Sequence, residues 1–203
     1  IYKANNVLVE VESNQIKKAS SLTVEHLVVR GLIGKKAGLY IADRVNEEEL
    51  ERALSKVYNI ALNNSPDERW ESLAEPEPYG EEVEWDRKLM ETTPDYYVDL
   101  MGEALKLVRG EDPNAILAYG AAGCGYGTLR VVNSHGIDVE ESNGLSYIYV
   151  GVIGVREGVH TPLILGINYS RKVDPGVEKA VNEALSQLRN AYKVAKGETE
   201  KAT

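Results

Sequence analysis

The chain contains no phenylalanine, and its 203 residues include one cysteine, two methionines and two tryptophans. A single cysteine, Cys124, excludes an internal disulfide framework and fits a reducing compartment, so a cytoplasmic location is expected. No apolar run approaches the roughly 18 residues that cross a bilayer, and no membrane partner is expected. The chain opens on strand-like residues, Ile1 and Tyr2, with no basic region or cleavage site behind them. No secretory signal is therefore expected. Basic residues are in deficit, 23 Lys and Arg against 32 Asp and Glu. No basic stripe exists of the kind that neutralises DNA phosphates, and direct nucleic-acid binding is disfavoured.

Catalytic vocabulary is equally thin. The three histidines, His26, His135 and His160, are never followed by Glu, and no two stand four apart. The helical HExxH or HExxxH pattern, which sets two imidazoles on one helix face for zinc, is absent. His26 adjoins an apolar strand, His135 lies in a turn and His160 precedes Thr161-Pro162 at a hairpin end, all structural positions. Cys124, His135 and Asp138 can be drawn as nucleophile, base and orienting acid, but no spacing brings them together. Gly120 to Gly127 is rich in glycine yet leads into a strand, whereas a dinucleotide fingerprint must open a helix. Gly34-Lys35 lacks the flanking residues of a P-loop. Glu81, Glu82 and Glu84 lack calcium-loop spacing and read as a solvated face. No catalytic, cofactor-binding or metal residue is assigned to this chain.

What is present is a pattern of strands and amphipathic helices. Twelve tyrosines take the place of Phe, leaving a core of Leu, Val, Ile, Ala and phenol rings. Val7 to Glu12 alternates as a strand, followed by a turn at Ser13-Asn14. Leu27–Ile33 and Leu39–Ala42 read as strands joined through Gly34 to Gly38. Asn46 then offers an N-cap with Glu49 three residues on, a capping box that starts a helix with one apolar face from Leu50 to Ala61. From Asn63 to Glu91 periodicity fails. Between Asp67 and Glu91 stand ten acidic and three basic residues, concentrating −7 of the net −9. Trp70 and Trp85 make this a connector pinned to a surface rather than a free linker. Thr93-Pro94 starts a second helix, expected to end at Gly110, and Asp174-Pro175 starts a third.

The two strand regions repeat at a fixed offset. Val29-Arg30-Gly31-Leu32-Ile33-Gly34 matches Tyr149-Val150-Gly151-Val152-Ile153-Gly154, and Gly38 falls opposite Gly158. The expected fold is α+β: two similar units, each an antiparallel sheet backed by one helix, joined by an acidic connector. The expected boundaries are residues 1–65 for the first unit, 66–92 for the connector and 93–203 for the second, which has an extra leading helix. One such unit buries too little to offset its own ordering, so the two are expected to pack together.

The segment Val28 to Gly38 resembles the hairpin of the TldD/PmbA family, where an arginine-bearing strand turns and returns through a glycine before a helix with acids at its start. Arg30, Gly38 and Glu47 to Glu49 fit that pattern. Glu84-Trp85-Asp86 with the helix at Thr93-Pro94 is similar to the family's connector, and Asn133-Ser134-His135-Gly136 to its NSxG turn. The resemblance covers nearly the whole chain in order. It implies the family described as modulators of DNA gyrase, whose TldD-like members are zinc peptidases of short or unfolded peptides and whose PmbA-like members are partner subunits. The family's HExxxH motif lies beyond the matched region, so zinc is expected in a C-terminal part if the whole protein is TldD-like. By this resemblance, the helix that normally precedes the first strand is expected to be missing here. The resemblance thus implies a non-catalytic N-terminal portion, a scaffold and chamber wall. Its implied partners are its own C-terminal domain, a second copy or paralogue in a dimer, and short or unfolded peptides. The alternative is a PmbA-like interaction subunit that binds no zinc.

Overall fold

The computed structural model describes residues 1–156 and 158–193. Seven strands and three helices follow one another as β1 (Tyr2–Glu12), β2 (Gln15–Ile33), β3 (Lys36–Ala42), α1 (Glu47–Asn63), α2 (Pro94–Glu111), β4 (Ala115–Val132), β5 (Asp138–Arg156), β6 (Val159–His160), β7 (Ile164–Ser170) and α3 (Val177–Ala191). A short 3-10 turn, Arg87–Glu91, precedes α2. Hydrogen-bonded neighbours run β3-β2-β1-β4-β5-β6, with β7 also on β5. The class is α+β. The chain forms two compact units, each discontinuous in sequence. The first comprises Ile1–Asn6, Leu22–Trp85 and Gly125–Gly144; the second comprises Val7–Ser21, Asp86–Cys124 and the chain from Leu145 onward.

In the first unit the chain turns at Gly34, whose φ of 58° favours glycine, and β3 returns antiparallel to β2. Register pairs Leu27 with Ala42, Val29 with Tyr40 and Gly31 with Gly38 on one face, and Val28 with Ile41 and Arg30 with Leu39 on the other. The first face carries α1. Asn46 caps that helix by accepting the Glu49 N–H at 2.8 Å, and Glu47 to Glu49 sit at its positive end. Ala53, Val57 and Ala61, spaced at four residues, form the buried stripe. A Cβ added to Gly38 would overlap the Val57 carbonyl oxygen and stand 2.9 Å from the Ala61 nitrogen. Glycine is thus what lets the helix backbone lie directly on the strand.

The connector lies along this unit. Asp67 N–H donates to the Lys35 carbonyl, and Lys35 reaches Glu68 at 3.0 Å. The Arg30 guanidinium stacks on Trp70, 4.8 Å from the ring centroid. Farther on, Asn133 Nδ2 donates to the Ala74 carbonyl at 2.8 Å, and His135 pairs with Glu75 at 2.6 Å. Trp85 Nε1 donates to the Ser142 carbonyl while its ring covers Gly144.

In the second unit Ser13 and Asn14, with φ of 49° and 63°, make the tight turn between β1 and β2. Asn14 Oδ1 accepts the Leu117 N–H at 3.0 Å, fixing the turn to β4. Here β7 is paired with β5, and α3 packs on β7 while α2 packs on α3. The core is larger than in the first unit: Leu89, Tyr97, Met101, Leu117, Ile148, Leu185 and Leu188 are among its fully buried side chains. A Cβ on Gly166 would overlap the Ala180 carbonyl oxygen and stand 2.9 Å from the Ala184 nitrogen.

That contact corrects the repeat. Gly38 has its counterpart in Gly166, not in Gly158, which sits in a turn at φ 78° with open space around it and so corresponds to Gly34. The register slips because β6 and the residues after it are inserted before the returning strand. Element ends also differ from expectation: β1 starts at Tyr2 rather than Val7, β2 at Gln15 rather than Leu27 and β3 at Lys36 rather than Leu39. Helix α2 runs through Gly110 to Glu111, and α3 starts at Val177 after Gly176 at φ 80°.

Candidate functional site

The residues that sequence nominates for chemistry are each committed to local structure. Cys124 is buried, with its sulfur 3.1 Å from Thr92 Oγ1 and 3.9 Å from the Leu89 carbonyl. Beside it the Tyr97 hydroxyl is enclosed without a well-formed hydrogen bond; burial first, then the neighbouring thiol, pushes its pKa up. Solvent cannot reach this thiol. His135 is taken by Glu75, and Asp138 accepts two 2.9 Å hydrogen bonds from Arg130. His26 stands 3.3 Å from Asp43 with its ring stacked near Tyr2, and His160 lies exposed on β6. Among the described residues no group of three or more His, Cys, Asp or Glu is disposed to hold a metal ion. The glycine run of β4 serves packing. A Cβ at Gly123 would overlap the Val7 carbonyl, and one at Gly127 the Lys3 carbonyl.

What the fold presents instead is exposed apolar surface and an unpaired strand edge. In the first unit the face opposite α1 is apolar and open: Leu39 is 53% and Ile41 54% exposed, beside Val28 and Arg30. Strand β3 ends the strand order, so its outer N–H and C=O groups have no strand partner among the described residues. An edge of that kind accepts an extended chain by main-chain hydrogen bonds, with alternate side chains settling on the apolar face. A groove of about 580 Å³, floored by Leu27, Val29, Leu129 and Val131, opens on the same unit.

The second unit repeats the arrangement with phenols. Register places Tyr149 opposite Ile167, Tyr147 opposite Tyr169 and Gly151 opposite Leu165, all on the face away from α3. Tyr149 donates to the Tyr119 hydroxyl at 3.3 Å, and Tyr119 donates to Glu10 at 3.4 Å. Burial first, then the hydrogen bond with Tyr119, raises the Tyr149 pKa, so the Tyr149 phenol stays protonated at physiological pH. Sequence reading missed it, although tyrosines two apart on one strand (147 and 149) signal a single phenolic face. Large apolar and phenolic side chains are exposed on both surfaces.

No protein-family profile and no curated protein matches the chain. Solved structures do. TldE from Thermococcus kodakarensis is 34% identical, with a TM-score of 0.88 over 93% of this chain and 42% of that one. Two proteins named as candidate modulators of DNA gyrase share the fold. The one from Thermotoga maritima is 10% identical with a TM-score of 0.78 over 42% of its length. The one from Bacteroides thetaiotaomicron is 18% identical with a TM-score of 0.74 over 44% of its length. The chain spans less than half the length of each. No described helix is long and apolar enough to cross a membrane.

Proposed function

The chain belongs to the TldD/PmbA family, and from that premise we propose that it is a non-catalytic, substrate-enclosing part of a TldD/PmbA-type metallopeptidase acting on short or unfolded peptides. Its role is to hold an extended peptide along β3 while residues outside this chain break the bond. The observation that carries the reading is the free edge of β3 combined with Leu39 and Ile41 on an open apolar face. Backbone pairing gives affinity without sequence preference, which suits a peptidase of unfolded segments. The zinc of TldD-like enzymes does not fit the described residues, since each of the three histidines stands alone or with a single carboxylate. In this reading the metal is held elsewhere in the whole protein, which works in the cytoplasm as a homodimer or with a paralogue.

A second reading, a PmbA-like partner subunit that never binds zinc, is favoured by one observation: the Thermococcus relative is named TldE rather than TldD. The whole gene separates the two. An HExxxH motif in it supports the peptidase, and its absence supports the partner.

The peptide role is tested on this chain directly. A neutral, unstructured Val/Thr-rich peptide should bind at millimolar concentration, and Leu39→Lys with Ile41→Lys should weaken it about ten-fold by removing two cross-strand apolar contacts. Absence of binding at that concentration, or an unchanged affinity in the double variant, contradicts the reading.

A further inference from the structure

We propose a second binding site in the first unit, a groove under residues 79–83 that takes a basic, extended segment of another polypeptide in which Lys or Arg alternates with apolar residues. The site is independent of the β3 edge, being built from β4, β5 and the connector. Its floor is Leu129 and Val131, two apart on β4 and hence on one face, together with Val139 of β5. Leu129 is 47% and Val131 45% exposed, an unusual outlay of aliphatic surface beside so much charge. Its walls are acidic. Glu81 and Glu82 come from the connector and Glu141 from β5, on the floor's side of that strand; Glu140, one residue back and so on the other face, lies in the field of Arg130. The volume, about 400 Å³, lies in the range of ligand-holding clefts.

Local structure keeps this groove open. The connector is fastened on one side by the Asn133 bond to Ala74 and the His135–Glu75 pair, and on the other by Trp85 to Ser142. The stretch from Tyr79 to Val83 is carried between those fastenings as a wall. A small cation would meet carboxylates alone and leave the aliphatic floor wet. A purely apolar segment would cover the floor and bring the carboxylates close to unsolvated carbon. Only a ligand carrying both chemistries answers both surfaces. A strand supplies them at the right period, because successive side chains point to opposite sides, one set to the floor and the other to the rim. Each rim pair is exposed and individually weak, so binding should be modest and sensitive to salt.

The test uses the full chain and a labelled, end-capped Val-Arg-Val-Arg-Val peptide, read by fluorescence anisotropy. Glu81→Gln with Glu141→Gln should weaken binding about five-fold, and raising the salt concentration should weaken it further. The charge-matched control Glu51→Gln with Glu183→Gln should change it less than about two-fold, as expected for charges outside the groove. The peptide Val-Glu-Val-Glu-Val should not bind. An equal effect of the control pair would show that net charge alone is read and would overturn the proposal. So would spermidine competing at the concentration of the peptide, because the floor would then count for nothing. Circular dichroism of both double variants confirms that each is folded.

Discussion

The two units use one device at different depths of burial. In each, a glycine on the returning strand, Gly38 or Gly166, lets a helix backbone touch the sheet, and the opposite face stays open. The first unit secures its helix with a small cluster, Leu27, Ala42 and Ala53 with Val29, Tyr40 and Val45 around them. The second adds α2 and buries Tyr97, Met101, Leu117, Leu185 and Leu188. The difference teaches that a shared backbone contact sets the architecture while the amount of apolar burial sets how firmly each copy is held. The lighter unit also carries the free β3 edge, whereas clefts of about 400 to 580 Å³ open on both units.

The strongest way to break this comparison is to fill the two glycines. Gly38→Ala and Gly166→Ala each force a methyl into a helix carbonyl, and each should cost about 3 kcal/mol. Hydrogen exchange should show α1 losing protection in the first variant and α3 in the second. Gly158→Ala should cost only about 1 kcal/mol, from its positive φ alone. A larger loss there than at Gly166 would restore the equivalence of Gly38 with Gly158.

A smaller effect concerns the ion pair of the first unit. The hydrogen bonds from Arg130, then its charge, hold the Asp138 carboxyl below the usual carboxylate range. A depressed carboxylate stabilises the fold above its unfolded pKa, and that contribution is lost as pH falls through the lowered folded value. Both side chains are exposed, at 47% and 56%, so the thermal midpoint should barely move. Following the Asp138 carboxyl carbon by NMR should show its midpoint rise in Arg130→Ala. An unchanged midpoint would remove the pair from the account.

Much of this was legible from residue order because local chemistry dictates it. The Asn46–Glu49 cap fixed the start of α1, and Ser13-Asn14 could only be a turn. The tryptophans marked a connector held to a surface, and Trp70 and Trp85 do lie against Arg30 and Gly144. The extent of β2 was not legible. Its first half, Gln15 to Thr23, is exposed on both faces, Ile16 and Leu22 included, so no inward-outward alternation betrays a strand that pairing alone sustains. Gly166 was passed over because the repeat was aligned without a gap, and β6 with the residues after it moves the returning strand beyond the position that a fixed offset assigns. The phenol chain from Tyr149 to Glu10 joins three strands, and periodicity within one strand does not say which others lie beside it.

Position-resolved hydrogen exchange of the whole chain with and without a neutral unfolded peptide weighs the central claim most directly. Amides of residues 36–42 should gain protection on addition of the peptide, while the peptide stays intact over the incubation. Protection that appears elsewhere and spares β3, or cleavage of the peptide by this chain alone, would contradict it.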